Sequence, residues 1–357
     1  MTATRTLRVA VDDDPRAAVA HDPPEALPHK IVWALQHAVL APSLHNSQPW
    51  VFRWRPEPPT VDLFADARRH VQVLDSRGRQ LVISCGAALE NLIVGLRAAG
   101  LAGNVRIATD DREALLASVG VFPGEEPSDA DVALGRATAV RQTARASFGD
   151  PPVPPGLLLS LIDIGRERGA EVRLVQRPGE RAGLARWTQV ADRIESYDSQ
   201  LLQEIAAWTR PIPGFADDGI VPAAYGRGSF SARSGLFPQR DFALGRAVPT
   251  DHGRPDPADV TIAVIATPGD TRRDWLTAGR TLEGILLAAA THGVQASYLN
   301  QAVEVPELRP RVCEELGIHG FPQLILRLGY PVEPAGAISP RRPLSRVLDT
   351  TAPGPTS

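Results

Sequence analysis

Three short stretches of this 357-residue chain carry side chains of types and spacing that suit the binding of a charged, ring-bearing ligand. In Arg141-Gln142-Thr143-Ala144-Arg145 two fixed cations and a hydroxyl sit at alternate positions. Alternate residues of an extended segment share a face. Guanidinium groups hold phosphate bidentately, and threonine adds a neutral donor. Arg341-Arg342 is a second candidate clamp. The third stretch, Ala41-Pro42-Ser43-Leu44-His45-Asn46-Ser47-Gln48-Pro49-Trp50, combines two helix-breaking prolines with small polar residues. Such a turn between rigid elements suits polar recognition of a bound ring system. Short arginine runs are mostly solvated surface, so it is their combination with this turn that points to a site.

Other chemistries lack their residues. There is no His-Glu-x-x-His, no Cys-x-x-Cys and no Gly-x-Ser-x-Gly, so a metal site or a hydrolase elbow has little warrant. The glycine-rich loops lack the Walker and dinucleotide spacings. Ser43 and His45 lie two apart, but nothing marks an orienting acid. A net charge of −3 gives no electrostatic case for nucleic acid or an anionic membrane, and 43% apolar residues allow a sizeable core. Cys85 and Cys313 read as buried thiols, which points to a reducing, cytoplasmic setting.

The elements that must position these stretches follow from periodicity. Ile31, Leu35, Ala38 and Val39 predict a helix over 28–40. Strands at 50–55 and 61–65 flank Pro56-Glu57-Pro58-Pro59 and predict a hairpin. The stretch from Gly86 to Leu96 is apolar on almost every face, so it belongs mid-fold, and a strand follows at 105–108. A helix at 156–168, a strand at 171–176 and a polar helical region at 178–207 come next. Residues 208–240 hold a run of prolines and glycines too long for an ordinary connection. Then come a buried-type strand at 260–265, a helix at 271–292, an extended run at 294–300, a helix at 306–316 and a strand at 324–330.

One internal echo stands out. Gly86, Leu89, Glu90 and Gly100 recur as Gly279, Leu282, Glu283 and Gly293, at a constant offset of 193 residues. Apolar helices ending in glycine resemble one another, so the echo has two readings: chance similarity, or a duplicated unit whose central helix occurs twice.

The run Ala-Pro-Ser-x-x-Asn-x-Gln-Pro-Trp after a helix resembles the nitroreductase family of flavoproteins. So do Arg141-x-Thr143-x-Arg145 followed by Phe148, and Leu328-Gly329-Tyr330-Pro331 with Arg341-Arg342-Pro343-Leu344. Within that family the Acg subfamily is the closer match. The match rests on Leu81-Val82-Ile83-Ser84-Cys85-Gly86-Ala87-Ala88-Leu89, Trp275-Leu276-Thr277-Ala278-Gly279 and Leu299-Asn300-Gln301-Ala302-Val303-Glu304. The resemblance implies an α+β fold of mainly antiparallel sheets flanked by helices, binding FMN. It covers about residues 28–348. In ordinary members two subunits build each FMN site. One gives the arginine element and the other gives the turn.

Here the first half has the turn without the arginine element, and the second half has the arginine element without the turn. The expectation is two fused halves forming a pseudo-dimer, with one composite FMN site per chain and a monomer competent to bind. The expected organisation is an irregular arm at 1–27, a first half at 28–122, a linker at 123–135 and a second half at 136–348. A lid is expected at about 208–240, and a disordered tail at 349–357. Carried over from the resemblance, Arg141 and Thr143 bind phosphate beside Arg341 or Arg342, and Arg145 lies near the flavin N1/O2 edge. Pro42, Ser43, Leu44, Asn46 and Gln48 line the ring and ribityl chain. Trp50 is core or ring contact, and Asn300 or Gln301 approaches N5. The implied activity passes electrons from NAD(P)H to a small nitro-aromatic, quinone or similar acceptor. The alternative is an FMN storage or sequestration protein whose lid blocks the nicotinamide.

Overall fold

The computed structural model describes residues 13–110, 113–145, 147–210, 216–221, 237, 240, 242, 260–332 and 339–349. Two short segments open the chain: α1 (Pro15–Val19) and α2 (Leu27–Ala38). Each has proline in its first turn, where the missing N–H costs nothing. The polar turn then leads into β1 (Trp50–Pro56) and β2 (Pro59–Ala65), a tight antiparallel hairpin closing at Pro56 and Pro59. The long helix α3 (Arg79–Ala98) follows, then β3 (Leu101–Ile107) and β4 (Leu115–Pro123). The sheet order is β1-β2-β4-β3, all antiparallel.

After α4 (Asp129–Val140) and the two-residue strand β5 (Phe148–Gly149), the same path is traced again. Helix α5 (Pro155–Arg168) leads into β6 (Glu171–Leu174), and the helices α6 (Pro178–Tyr197) and α7 (Ser199–Ala207) follow. Then come β7 (Thr261–Thr267), the long helix α8 (Arg272–Ala290) and β8 (Gln295–Tyr298). The short helices α9 (Gln301–Glu304) and α10 (Arg309–Leu316) precede β9 (Phe321–Pro331). Here the order is β6-β7-β9-β8, again antiparallel. Each sheet thus has one helix between its second and third strands in chain order, α3 in one and α8 in the other. A final strand, β10 (Leu348–Asp349), returns to the first sheet and pairs parallel with β1.

The two central helices cross at the residues of the internal echo. A Cβ placed on Gly86 would fall 2.3 Å from the Leu276 carbonyl oxygen. One on Gly279 would fall 2.0 Å from that of Ile83. Ile83 and Leu276 are themselves 193 residues apart, so the contact is reciprocal, as contacts across a two-fold axis are. One continuous apolar core runs through both helices and both sheets. Helix α3 is the one helix among the described residues long and apolar enough to span a membrane, and 94% of its apolar window is buried inside the protein.

Several elements depart from the sequence-based expectation. Helix α1 lies within the arm expected to be irregular. Helix α4 starts at Asp129, inside the expected linker, because Ser128 and Asp131 form a reciprocal cap. Strand β4 was not anticipated. The polar helical region is two helices, broken at Asp198, whose carboxylate caps the second by accepting from the N–H groups of Gln200 and Leu201. Cys85 is buried and Cys313 only partly so. Most of the 208–240 stretch, and the tail beyond 349, lie outside the described residues. Within that stretch Phe237 is packed into the second half's core beside Val175 and Leu184.

Candidate functional site

The polar turn is the most strained backbone in the described chain. His45, Asn46 and Gln48 all have positive φ, at 49°, 54° and 51°. Non-glycine residues hold this conformation only where surrounding contacts impose it. The contacts are specific. Ser43 Oγ accepts from the Gln48 N–H at 2.9 Å, and Ser84 Oγ accepts from the Leu44 N–H at 3.2 Å. The Asn46 amide donates to the carbonyls of Gly219 and Pro340, both at 3.0 Å. Gln48 donates to the Asp217 carbonyl at 2.8 Å and accepts from the Arg342 N–H at 2.8 Å. The turn is therefore clamped between residues 216–221 and the C-terminal segment.

Four arginines converge beside it. Arg141 and Arg341 both donate to the Leu40 carbonyl, at 3.3 and 3.1 Å, and Arg341 also donates to Asn46 Oδ1 at 3.0 Å. Arg16, on α1, reaches the Ser339 carbonyl at 3.4 Å. Burial first, then the facing Arg141, pushes Arg16 down to about 10. Burial, Arg141 and Arg16 push Arg341 well below its ordinary range. Arg145 is pushed down to about 10 by burial, against the pull of Tyr298. The carboxylate facing the cluster is Glu283 on α8, 3.5 Å from Arg141 Nε. Asp14 offsets part of this at Arg16, and mutually repelling cations of this kind are suited to receive an anion.

The register explains how these residues meet. Thr143 forms a parallel bridge with Ala296, so Arg145 runs beside Tyr298 on the same face. Arg145, Tyr298 and Arg341 are surrounded by protein, yet each keeps some accessible surface. Ser43 and Leu44 likewise keep accessible surface, whereas Pro42 is buried. His45 is buried with both ring nitrogens unbonded and its ring edge-on to Phe242, 5.5 Å between centroids. Burial, then Arg240 and Arg145, hold its pKa far below the usual histidine range, so it is neutral at working pH. Among the described residues no group of three or more His, Cys, Asp and Glu is placed to hold a metal.

With this geometry in view, relatives decide the family. "Putative NAD(P)H nitroreductase Rv3131" of Mycobacterium tuberculosis (strain ATCC 25618 / H37Rv) is 30% identical over 322 residues, covering 87% of this chain and 89% of the relative. This chain belongs to the nitroreductase family. "Putative NAD(P)H nitroreductase acg" of the same strain is 29% identical over 327 residues, covering 88% and 94%. A crystal structure of "a putative nitroreductase from anabaena variabilis atcc 29413" shares the fold over 91% of this chain and 93% of its own, with TM-score 0.51 and 10% identity. No family model matches the chain.

Set against the nitroreductase motif, the expected residues divide. The turn from the first half, the Arg141–Arg145 segment and Arg341 come together. Arg342 holds the end of the turn: its N–H donates to Gln48 Oε1 at 2.8 Å, and its guanidinium donates to the Gln48 carbonyl at 3.4 Å and the Arg346 carbonyl at 3.1 Å. For Trp50, left open between core and ring contact, the core reading is favoured. The side chain is fully buried at the start of β1, in the apolar core. Gln48 is also fully buried, and its amide is spent joining two segments. Asn300 Oδ1 accepts from the Ile325 N–H at 2.8 Å, so it ties α9 to β9. Gln301 is buried at the start of α9. Sequence reasoning missed Arg16, Tyr298, Glu283 and the unbonded His45. The 193-residue echo had marked Glu283, and His45 had been named only as part of the turn, with no role.

Proposed function

We propose that this nitroreductase-family chain binds one FMN per molecule in the composite site and passes electrons from NAD(P)H to a small nitro-aromatic, quinone or similar acceptor. The observation that carries this reading is the buried convergence of Arg16, Arg141 and Arg341 on one side of the strained turn. The Nε atoms of all three have no hydrogen-bond partner, which suits a dianionic phosphate. Arg141 and Arg341 are assigned to the phosphate, with Thr143 nearby and Arg16 as a further cation. Arg145 is assigned to the N1/O2 edge, where a fixed cation stabilises the negative charge that arrives with the electrons. Ser43, Leu44 and the turn backbone form the wall against the ring. Bound FMN supplies the hydride and electron chemistry, while the chain positions it and excludes water. The NAD(P)H named for the relatives supports a nicotinamide donor. The absence of an obvious side-chain nucleophile fits a reaction that the cofactor carries. The site is drawn from one chain, so a monomer is sufficient. We place the protein in the cytoplasm, on the strength of its free thiols.

One observation favours a second reading, FMN storage. Residues 216–221 sit on the turn through Asn46 and Gln48, and Arg240 is locked to Glu195 and Glu304 at 2.6 Å each. A cover held this firmly blocks a nicotinamide unless it opens. Anaerobic stopped-flow mixing of FMN-loaded protein with NADPH, then NADH, separates the two. Rapid bleaching of the flavin band at ~450 nm is the result for a reductase. A band that persists for minutes with both, yet bleaches with dithionite, is the result for storage.

A further inference from the structure

Glu90 and Glu283 are the same position of the two repeated halves, yet they are treated differently. Glu90 is fully engaged: Arg168 donates to one carboxylate oxygen, and Arg280 donates to the other at 3.0 Å. The residue 193 positions before Arg280 is Ala87, so Glu283 lacks the matching cation. Glu283 is completely buried, and neither of its oxygens meets a donor at hydrogen-bonding geometry. The Asn91 amide faces it and pulls its pKa down, while also donating to the His37 carbonyl at 3.1 Å. The groups facing it are Arg141, Arg341 from the C-terminal segment, Tyr298 from β8, and Asn91 and Glu90 from α3. A buried carboxylate without hydrogen bonds is costly, and the fold retains it only at the half that carries the guanidinium cluster.

We propose that Glu283 is the resting counter-ion of this cluster, and that it takes up one proton from solvent when a phosphate monoester dianion binds there. The inference rests on the phosphate assignment above. In a desolvated shell a carboxylate and a dianion compete for the same guanidiniums, and like charges at close range do not both stay ionised. The proton adds to a carboxylate oxygen, so Glu283 becomes neutral and can donate a hydrogen bond. Burial already pushes this carboxyl up to about 7, against the pull of Arg141 and Arg341, and a dianion that engages both guanidiniums removes that pull, so the carboxyl keeps its proton in the complex.

The test is calorimetric titration of the full-length, flavin-free chain with FMN at about pH 8, in phosphate-free buffers of differing ionisation enthalpy. A phosphate monoester, with its second pKa near ~6, is already a dianion there, so any proton taken up goes to the protein. The expected result is close to one proton per FMN for the wild type and close to none for Glu283→Gln. The variant should bind FMN about tenfold more tightly than wild type near pH 8 and about equally near pH 6, as a group titrating near 7 requires. Tyr298→Phe should leave the proton count unchanged. Binding by the wild type without proton uptake overturns the inference alone, and so does undiminished uptake in Glu283→Gln. Failure of FMN to bind at all overturns the phosphate assignment and the inference together. The wild-type proton count decides the matter even where the variant does not fold.

Discussion

Arg141 and Arg341 share one acceptor, the carbonyl of Leu40, although they lie 200 residues apart. Two cations on one carbonyl leave each with donors to spare. Removing either should cost anion affinity, and removing Arg341, which also donates to Asn46 Oδ1 and to the Ser339 and Pro340 carbonyls, should cost some stability as well. Arg341→Ala is expected to weaken FMN binding on the order of 10–100-fold, the range for a charge-assisted hydrogen bond. Arg342→Ala should change it by less than about threefold, because that guanidinium is spent on the Gln48 and Arg346 carbonyls. Fluorescence titration of both variants checks the contrast. Glu283 gives a second residue-scale prediction. Its folded-state pKa is raised, so its contribution to stability is full below the unfolded carboxyl value and is lost as pH rises through about 7. The flavin-free protein should lose melting temperature between about pH 4.5 and 7, and Glu283→Gln should flatten that loss. The arginine element and the turn were legible because local spacing carries them. Arg16 and Tyr298 were not, since only tertiary packing brings them to the cluster. For Trp50 motif position left core and ring contact open, and its complete burial in the apolar core favours the first.

At the scale of elements, the crossing of α3 and α8 fixes the distance between the halves. Gly86 and Gly279 allow backbone to meet backbone there, with no flexible side chain to give way. Gly279→Ala would bring a methyl group 2.0 Å from the Ile83 carbonyl oxygen. It should destabilise the protein by about 2–4 kcal/mol, within the range for overpacking, or prevent folding. Gly120→Ala, where nothing lies within 4 Å of the added carbon, should be near neutral. Urea denaturation of both variants reads the difference. The long helices and the first hairpin were legible from periodicity. Strand β4 was missed: its inward residues Leu116, Ala117, Val119 and Val121 do not alternate strictly, because a bulge shifts its pairing with β2. The echo between the helices was legible as sequence, but its meaning was not. That needed the reciprocal contact.

The whole molecule repeats one four-stranded path twice, and the proposed site draws on both copies. The first copy keeps a long strained turn between α2 and β1. In the second, Gly169 and Ala170 alone join α5 to β6, so no equivalent turn exists. At that side Glu90 is held by Arg168 and Arg280, an internal ion cluster in place of an open anion site. This asymmetry, more than any single residue, predicts one ligand per chain. The most direct measurement is an equilibrium titration of the purified, flavin-free chain with FMN, read as flavin bound per polypeptide. The composite-site account predicts saturation at one FMN per chain, reduced in affinity by Arg141→Ala. Two FMN per chain, or one shared between two chains, would contradict it.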